Sequence, residues 1–109
     1  MKNLNFSQTI RFRCTDPEKL VQMAAEWDSL QAEMDLMGYM GSHILADREN
    51  PGLYLMIAEF GVVDPNVSAA EEAMKNNDRE QTKAWAAALE EIVEGEIEFG
   101  NFDEIYRTG

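Results

Sequence analysis

The segment that most constrains the fold is the run Leu-Tyr-Leu-Met-Ile-Ala-Glu-Phe at residues 53–60, because it is apolar on both sides of a predicted strand. Side chains alternate between the two faces of a strand, so positions 53, 55 and 57 point one way and positions 54, 56, 58 and 60 the other. A sheet covered by helices on one face only should be polar at every second position. The run therefore predicts a sheet whose second apolar face must also be covered.

The first third of the chain predicts one strand and one long helix. Polar and apolar residues alternate over Phe6–Cys14, which indicates a strand. Asp16 is suited to the N-cap of a helix and Pro17 to its first position, where a missing N–H costs nothing. Gly38 is suited to the left-handed C-cap. Between these ends, residues at steps of three and four form an apolar stripe rich in Met and Trp, which we interpret as core rather than as a cofactor site.

The rest of the chain predicts a hairpin, two helices and a last strand. Strands over 39–47 and 53–60 are joined by Asn50-Pro51-Gly52, which has the chemistry of a type II turn. Capping boxes at Ser68–Glu71 and Asp78–Gln81 begin a short helix to about residue 75 and a longer helix that stops at Gly95. Phe99–Arg107 supplies the last strand. The order β-α-β-β-α-α-β predicts an α+β, ferredoxin-like split βαβ domain with a four-stranded antiparallel sheet over residues 1–109.

Charge and cysteine content limit the partners and the compartment. The 21 acidic residues against nine Lys and Arg give a formal net charge of -12, which repels phosphate backbones and anionic lipid. We therefore expect no nucleic acid and no membrane partner. Cys14 is the single cysteine, so no internal disulfide forms, and no stretch has the length of a membrane span. These features predict a cytoplasmic protein.

The two-faced strand predicts self-association. With helices over one face of the sheet, few residues remain to cover the other, and a two-fold interface is the simplest self-complementary cover. The alternative is a monomer whose loops and termini fold over the sheet. We expect the homodimer.

Several stretches resemble one known family. These are residues 37–45, Met-Gly-Tyr-Met-Gly-Ser-His-Ile-Leu; the strand at 53–60; Ser-Ala-Ala-Glu-Glu-Ala at 68–73; and Phe-Gly-Asn-Phe-Asp-Glu-Ile-Tyr at 99–106. Together with the element order, they resemble the antibiotic biosynthesis monooxygenase-like proteins over nearly the whole chain. The resemblance implies a dimeric α+β barrel made from the sheets of two protomers. The family includes cofactor-independent monooxygenases acting on aromatic polyketides, haem-degrading oxygenases and proteins with no assigned activity, so the fold does not decide the function.

The residues do not favour haem or a metal. The resemblance implies that a haem-degrading member has an axial His on the last helix and an Asn on the first strand. Here the segment 80–93 contains no His, and Ser7 and Thr9 stand where that Asn would lie. His43 is the single histidine, whereas a protein-built metal site needs several clustered ligands. We expect no cofactor and no metal.

Three residues are candidates for catalysis. Histidine is the side chain whose ordinary pKa lies nearest neutral pH, so His43 is a candidate base or hydrogen-bond donor to a phenolic substrate, or a partly buried strand histidine without a catalytic role. Arg11 is suited to orient an anionic or quinone oxygen, and Glu59 is the one charge in its strand. Alternatively, Arg11 and Glu59 form a bridge that only satisfies buried charge.

Four further residues are candidates for ligand contact. Asn77 and Arg79 lie where the chain enters the last helix, near a barrel mouth if the geometry of the family holds. Trp85 is either a core anchor or an aromatic platform for the ligand, and Tyr54 lies on the second face of the third strand. The sequence thus predicts a cofactor-independent monooxygenase-like protein acting on a small aromatic or quinone-type molecule, with a non-catalytic ligand-binding or interaction dimer as the alternative.

Overall fold

The computed structural model of the chain describes residues 4–33, 38–62, 66–77 and 79–108. Within these ranges the element order is the predicted one. The strands are β1 (Phe6–Cys14), β2 (Tyr39–Ala46), β3 (Leu53–Phe60) and β4 (Val93–Asp103). The helices are α1 (Pro17–Glu33), α2 (Ala69–Asn77) and α3 (Glu80–Ile92).

The four strands form one antiparallel sheet in the order β2-β3-β1-β4. In the two central strands Ile10 lies opposite Met56, and on its other side Ile10 lies opposite Phe99 of β4. The predicted α+β, ferredoxin-like arrangement is therefore confirmed.

Local sequence signals start α1, α2 and the hairpin as predicted. The backbone N–H of Lys19 donates to Asp16 Oδ1 at 3.0 Å, and that of Glu71 donates to Ser68 Oγ at 3.1 Å. In the hairpin, Leu53 N–H donates to Asn50 O at 3.1 Å, and Gly52 has the positive φ of 89° that a type II turn requires at this position. The C-terminal part of the predicted helix stripe, Met34 and Met37, lies outside the described residues.

The boundary between α3 and β4 differs from the prediction. The N-cap residue of α3 is Arg79, without a capping side-chain bond, while Asp78 lies outside the described residues.

At the C-terminal end of α3 the helix is followed directly by β4 at Val93, because Val93 pairs with Cys14 in the sheet. Gly95, with φ of 80°, lies at a register shift and is not the helix cap. β4 ends at residue 103 rather than 107. At the start of β4, pairing with β1 overrides the helical periodicity of the sequence.

The core lies between the sheet and the helices. From the sheet, Phe12 and Met56 are 1% and 2% exposed, and Cys14 is buried beside them. From α1, the buried residues are Leu20, Met23 and Trp27. The predicted interpretation of the Met and Trp stripe as core is confirmed for these residues. None of the described helices is long and apolar enough to cross a membrane.

The sheet surface away from the helices, which we call the open face, keeps apolar residues at its surface. Leu53, Leu55 and Ile57 of β3 are only half-buried there, whereas Met56 and Phe60 on the helix side are buried. Two neighbours are more exposed: Leu45 of β2 at 47% and Phe102 of β4 at 58%. The two-faced character read from the sequence is thus present in the folded sheet.

Candidate ligand cavity

A cavity of about 240 Å³ lies between the helix side of the sheet and the helices α1 and α3. Its walls are mainly apolar and aromatic: Ile10, Trp27, Met56, Phe60, Trp85 and Phe99. The volume lies just below the roughly 300 Å³ at which small-molecule sites begin. The cavity is therefore suited to a small aromatic ligand of up to about three fused rings rather than to a larger polycycle.

Polar residues enter this cavity from two sides. Gln8 of β1 and Asn101 of β4 are directly paired across the two strands, and both line the cavity. Thr82 and Lys83 line it from the first turns of α3. Trp27, Met56 and Phe60 are buried at the inner end, whereas Lys83, Asn101 and Phe99 are exposed, so the cavity opens at the β4 edge of the sheet. Few polar groups within an apolar wall are typical of a small-molecule site.

Two tryptophans form one wall of the cavity. Their ring centroids are 5.3 Å apart with an interplanar angle of 42°, and the indole N–H of Trp85 donates to Met23 O at 3.1 Å. This bond fixes the ring of Trp85 and leaves its face as cavity surface. Trp85 packs against the core and also lines the cavity, and its role as a platform for a ligand stays a prediction.

The three predicted catalytic residues lie on the open face, on the other side of the sheet from the cavity. His43 Nδ1 is 4.0 Å from Glu59 Oε1, and Glu59 Oε2 accepts a hydrogen bond from Arg107 at 2.7 Å. Arg11 is 3.8 Å from Asp47. The structure thus brings His43 and Glu59 together, and it separates both from the cavity.

The alternative pairing of Arg11 with Glu59 is not present. Arg11 lies opposite Leu55 and Glu59 lies opposite Ser7, so four residues of strand, about 13 Å, separate them. Asp47, at the end of β2, is the acidic partner of Arg11. The pKa of Asp47 is lowered, chiefly because the carboxylate accepts the backbone N–H of Glu49, with smaller contributions from Asn50 and Arg11.

The C-terminal segment after β4 joins the open face through charged groups. Arg107 bonds to Glu104 as well as to Glu59, and both carboxylates raise the pKa of Arg107, that of Glu104 most strongly. Asn5 in turn donates to Glu104 at 2.9 Å. These bonds position a positive charge beside Glu59.

The predicted ligand-contact residues are divided by the structure. Trp85 lines the cavity, whereas Tyr54, on the helix side of β3, packs against the core away from the described cavity walls. Arg79 is exposed at the N-cap of α3 and is not among the described lining residues. Asn77 ends α2, and its side chain lies outside the described part of the chain.

Sequence reasoning does not select several polar lining residues, among them Gln8, Lys83 and Asn101. A signal existed for Gln8, because it is in phase with Phe6 and Ile10 and so interrupts the apolar side of β1. Asn101 similarly follows Phe99 at a spacing of two. Lys83 follows Arg79 by one helical turn, so the predicted contact residue lies at the same end of α3 as a lining residue.

On the helix side of β2, Tyr39 carries a perturbed hydroxyl. Its O–H donates to Asp28 Oδ1 at 2.5 Å, and burial together with this bond raises the pKa of Tyr39 to about 12. The ring packs against Phe60 with centroids 5.7 Å apart. Among the described residues, no group of three or more His, Cys, Asp or Glu is placed to hold a metal ion.

Comparison with known proteins gives matches at the level of structure alone. No family model and no curated protein matches the sequence. SnoaB, a cofactor-independent oxygenase from Streptomyces nogalater, is 16% identical with a TM-score of 0.73, and the match covers 95% of this chain and 96% of that one. A protein from Nitrosomonas europaea provisionally named an antibiotic biosynthesis monooxygenase is 13% identical with a TM-score of 0.70, over 100% of this chain and 98% of that one.

A third match has the same provisional name. It comes from Caulobacter crescentus and is 8% identical, with a TM-score of 0.72 over 95% of this chain and 92% of that one. Identities this low carry information on the fold and not on the chemistry. The resemblance noted in the sequence is supported by these neighbours: the chain has the fold of the antibiotic biosynthesis monooxygenase-like proteins.

Proposed function

We propose that the protein binds a small aromatic or quinone-type molecule in the cavity between sheet and helices and oxidises it without a cofactor. The observation that carries the proposal is the cavity itself, walled by Trp27, Trp85 and Phe99 and provided with amide groups at Gln8 and Asn101. Aromatic walls favour a planar ring, and the amides can hydrogen-bond its oxygen atoms. The fold shared with a cofactor-independent oxygenase supports the choice of reaction.

The proposed reaction balances without an external electron donor. A ring methylene of an anthrone-type substrate loses a proton, and the resulting carbanion reduces dioxygen and forms a bond to one oxygen atom. The O–O bond then breaks, and the second oxygen leaves as water with the two methylene hydrogens. The carbon supplies all four electrons, so the protein contributes orientation and a cavity that excludes water.

Two observations favour the non-catalytic alternative. The cavity, at about 240 Å³, is smaller than the roughly 300 Å³ expected of a small-molecule site. The predicted base His43 and its partner Glu59 lie across the sheet from the cavity, and Lys83 is the one titratable residue among the described lining residues. Proton abstraction then depends on the acidity of the substrate itself, because a lysine ammonium has no lone pair to accept a proton. A ligand-binding dimer without turnover is accordingly the second candidate.

Oxygen consumption separates the two candidates. The purified protein should accelerate O2 uptake with anthrone, and Trp85→Leu should abolish this acceleration by removing the aromatic wall. His43→Ala tests the predicted catalytic histidine, and unchanged activity would assign His43 to another role. Binding without O2 uptake above the uncatalysed rate would leave the ligand-binding dimer, and absence of both would remove the cavity from consideration as a site.

We also propose a homodimer formed through the open face, in the cytoplasm as the composition predicts. Half-buried Leu53, Leu55 and Ile57 offer the apolar area that a second copy would cover. The distribution of charge favours the same surface. Two copies with a net charge of -12 repel each other, but three of the nine basic residues lie on the open face beside acidic groups: Arg11, Arg13 and Arg107. These arginines offset part of the negative charge of the open face and so reduce the repulsion between two copies.

Sedimentation equilibrium tests the dimer. The wild-type protein should have twice the 12.4 kDa mass of one chain at micromolar concentration. Leu55→Asp should give the single-chain mass, since it introduces two unpaired carboxylates in a two-fold interface. Val21→Asp is the matched control, because Val21 is 60% exposed on the surface of α1. A wild-type mass of one chain would contradict the dimer.

A further inference from the structure

The charge of the cavity mouth identifies a class of ligand, on condition that the cavity binds the small aromatic molecule proposed above. Lys83 is the single charged residue among the described lining residues, in a protein whose acidic residues outnumber basic ones by 21 to nine. The described lining includes no carboxylate. The described lining thus carries one positive charge and no negative one, on a strongly negative molecule.

Lys83 lies near the N-terminal end of α3, as the fourth residue of the helix. Its backbone N–H donates to Arg79 O at 3.1 Å, which fixes this turn at the mouth. The N-terminal end of a helix dipole is also positive, so it and the ammonium have the same sign beside the cavity.

The hydrogen-bonding capacity of the cavity selects between ligand charges. A lysine ammonium offers three donors and no acceptor, so it is satisfied by an oxygen that only accepts. A cationic ring would gain from the faces of Trp27 and Trp85, but Lys83 would repel it and no described lining residue would neutralise it. A neutral ring would partly desolvate the ammonium without offering an opposite charge.

We propose that the cavity selects aromatic ligands that carry an anionic oxygen, a carboxylate or phenolate, and that Lys83 is the residue that determines this specificity. The ring lies against Trp27 and Trp85, and the anionic oxygen lies at the mouth beside the Lys83 ammonium. Gln8 and Asn101 donate to any further oxygen on the ring. Lys83 is long enough for its aliphatic stem to follow the apolar wall while the ammonium stays at the mouth.

Calorimetric titration with 2-naphthoate and 2-naphthamide tests this assignment, because the two ligands have the same ring and nearly the same shape but differ in charge. The wild-type protein should bind the carboxylate about 3- to 10-fold more tightly at low ionic strength, as expected for a charge-assisted contact. Added salt should reduce this preference. Lys83→Met should bring the two affinities together by weakening the carboxylate alone, and Lys83→Arg should keep the preference.

Control and failure outcomes are distinct. Arg48→Met, in the exposed turn between β2 and β3, should leave both affinities unchanged. Equal binding of the two ligands by the wild type, or a preference that survives Lys83→Met, would overturn the role of Lys83 while leaving the cavity as a site for aromatic molecules. Failure of both ligands to bind at millimolar concentration would instead remove the proposed function and this inference with it.

Discussion

A larger side chain that fills the cavity should stabilise the fold and at the same time prevent ligand binding. Ala58→Leu is the substitution that tests this most directly. Ala58 lies on β3 and lines the cavity between Met56 and Phe60. Leucine adds three carbon atoms, each worth about 0.8 kcal/mol if fully buried, or about 2.4 kcal/mol in total. Lost rotamer freedom removes about 0.5–1 kcal/mol, and the solvent-exposed mouth reduces the burial further. The net expectation is a stabilisation of about 1 kcal/mol.

The same substitution should block the ligand. A branched side chain between the sheet and the indole wall removes much of a 240 Å³ space that is already small for a ligand. Urea unfolding followed by circular dichroism should show a higher midpoint with an unchanged slope, and 2-naphthoate binding should fall below detection. Ala87→Leu, at an exposed position of α3 that is not among the described lining residues, is the control and should retain binding. Destabilisation of Ala58→Leu by more than 1 kcal/mol, or binding at wild-type affinity, would refute the geometry on which the proposal depends.

Three further outcomes follow from local contacts. Tyr39 has a pKa raised to about 12, so its contribution to stability is fully present below pH 10 and is lost as pH rises from 10 to 12. Because the residue is half-buried, we expect the loss to be about 1 kcal/mol after solvent screening, and Tyr39→Phe should lack it in urea titrations at pH 9 and 12. Asp16→Ala should lower the unfolding free energy by about 1 kcal/mol by removing the bond to Lys19 N–H, whereas Asp16→Asn should largely retain it. Phe12→Ala should cost about 3–5 kcal/mol, because the ring is 1% exposed, and an effect under 1 kcal/mol would contradict its place in the core.

The order of elements could be predicted because local and long-range preferences agree over most of the chain. Period-two alternation at Phe6–Cys14 and the Asn50-Pro51-Gly52 turn specify the same strands that pair in the sheet. Disagreement arises at residues 93–98, where Val93 continues the helical spacing of Leu89 but is paired with Cys14. Pairing with β1 is a long-range contact that no local pattern reports.

The candidate site could be predicted only in part, for a similar reason. Trp85 can be selected as a candidate from the sequence because it is a large aromatic residue, whereas Gln8 and Asn101 come together only when β1 and β4 pair. His43 and Glu59 were selected as rare titratable groups in strands, and strand alternation alone does not say which face meets the helices. The tertiary packing of α1 and α3 decides that question and places the cavity on the opposite side.

The indole signals of the two tryptophans provide the most direct measurement of the central claim. Trp27 and Trp85 are the only tryptophans in the chain and both line the cavity, so a ¹⁵N-labelled sample has two indole N–H resonances that report on it. Titration with 2-naphthoate should shift both resonances in a saturable manner and leave the backbone amides of Leu55 and Ile57 little changed. Shifts confined to the open face, with both indoles unmoved at saturation, would contradict a ligand site between sheet and helices.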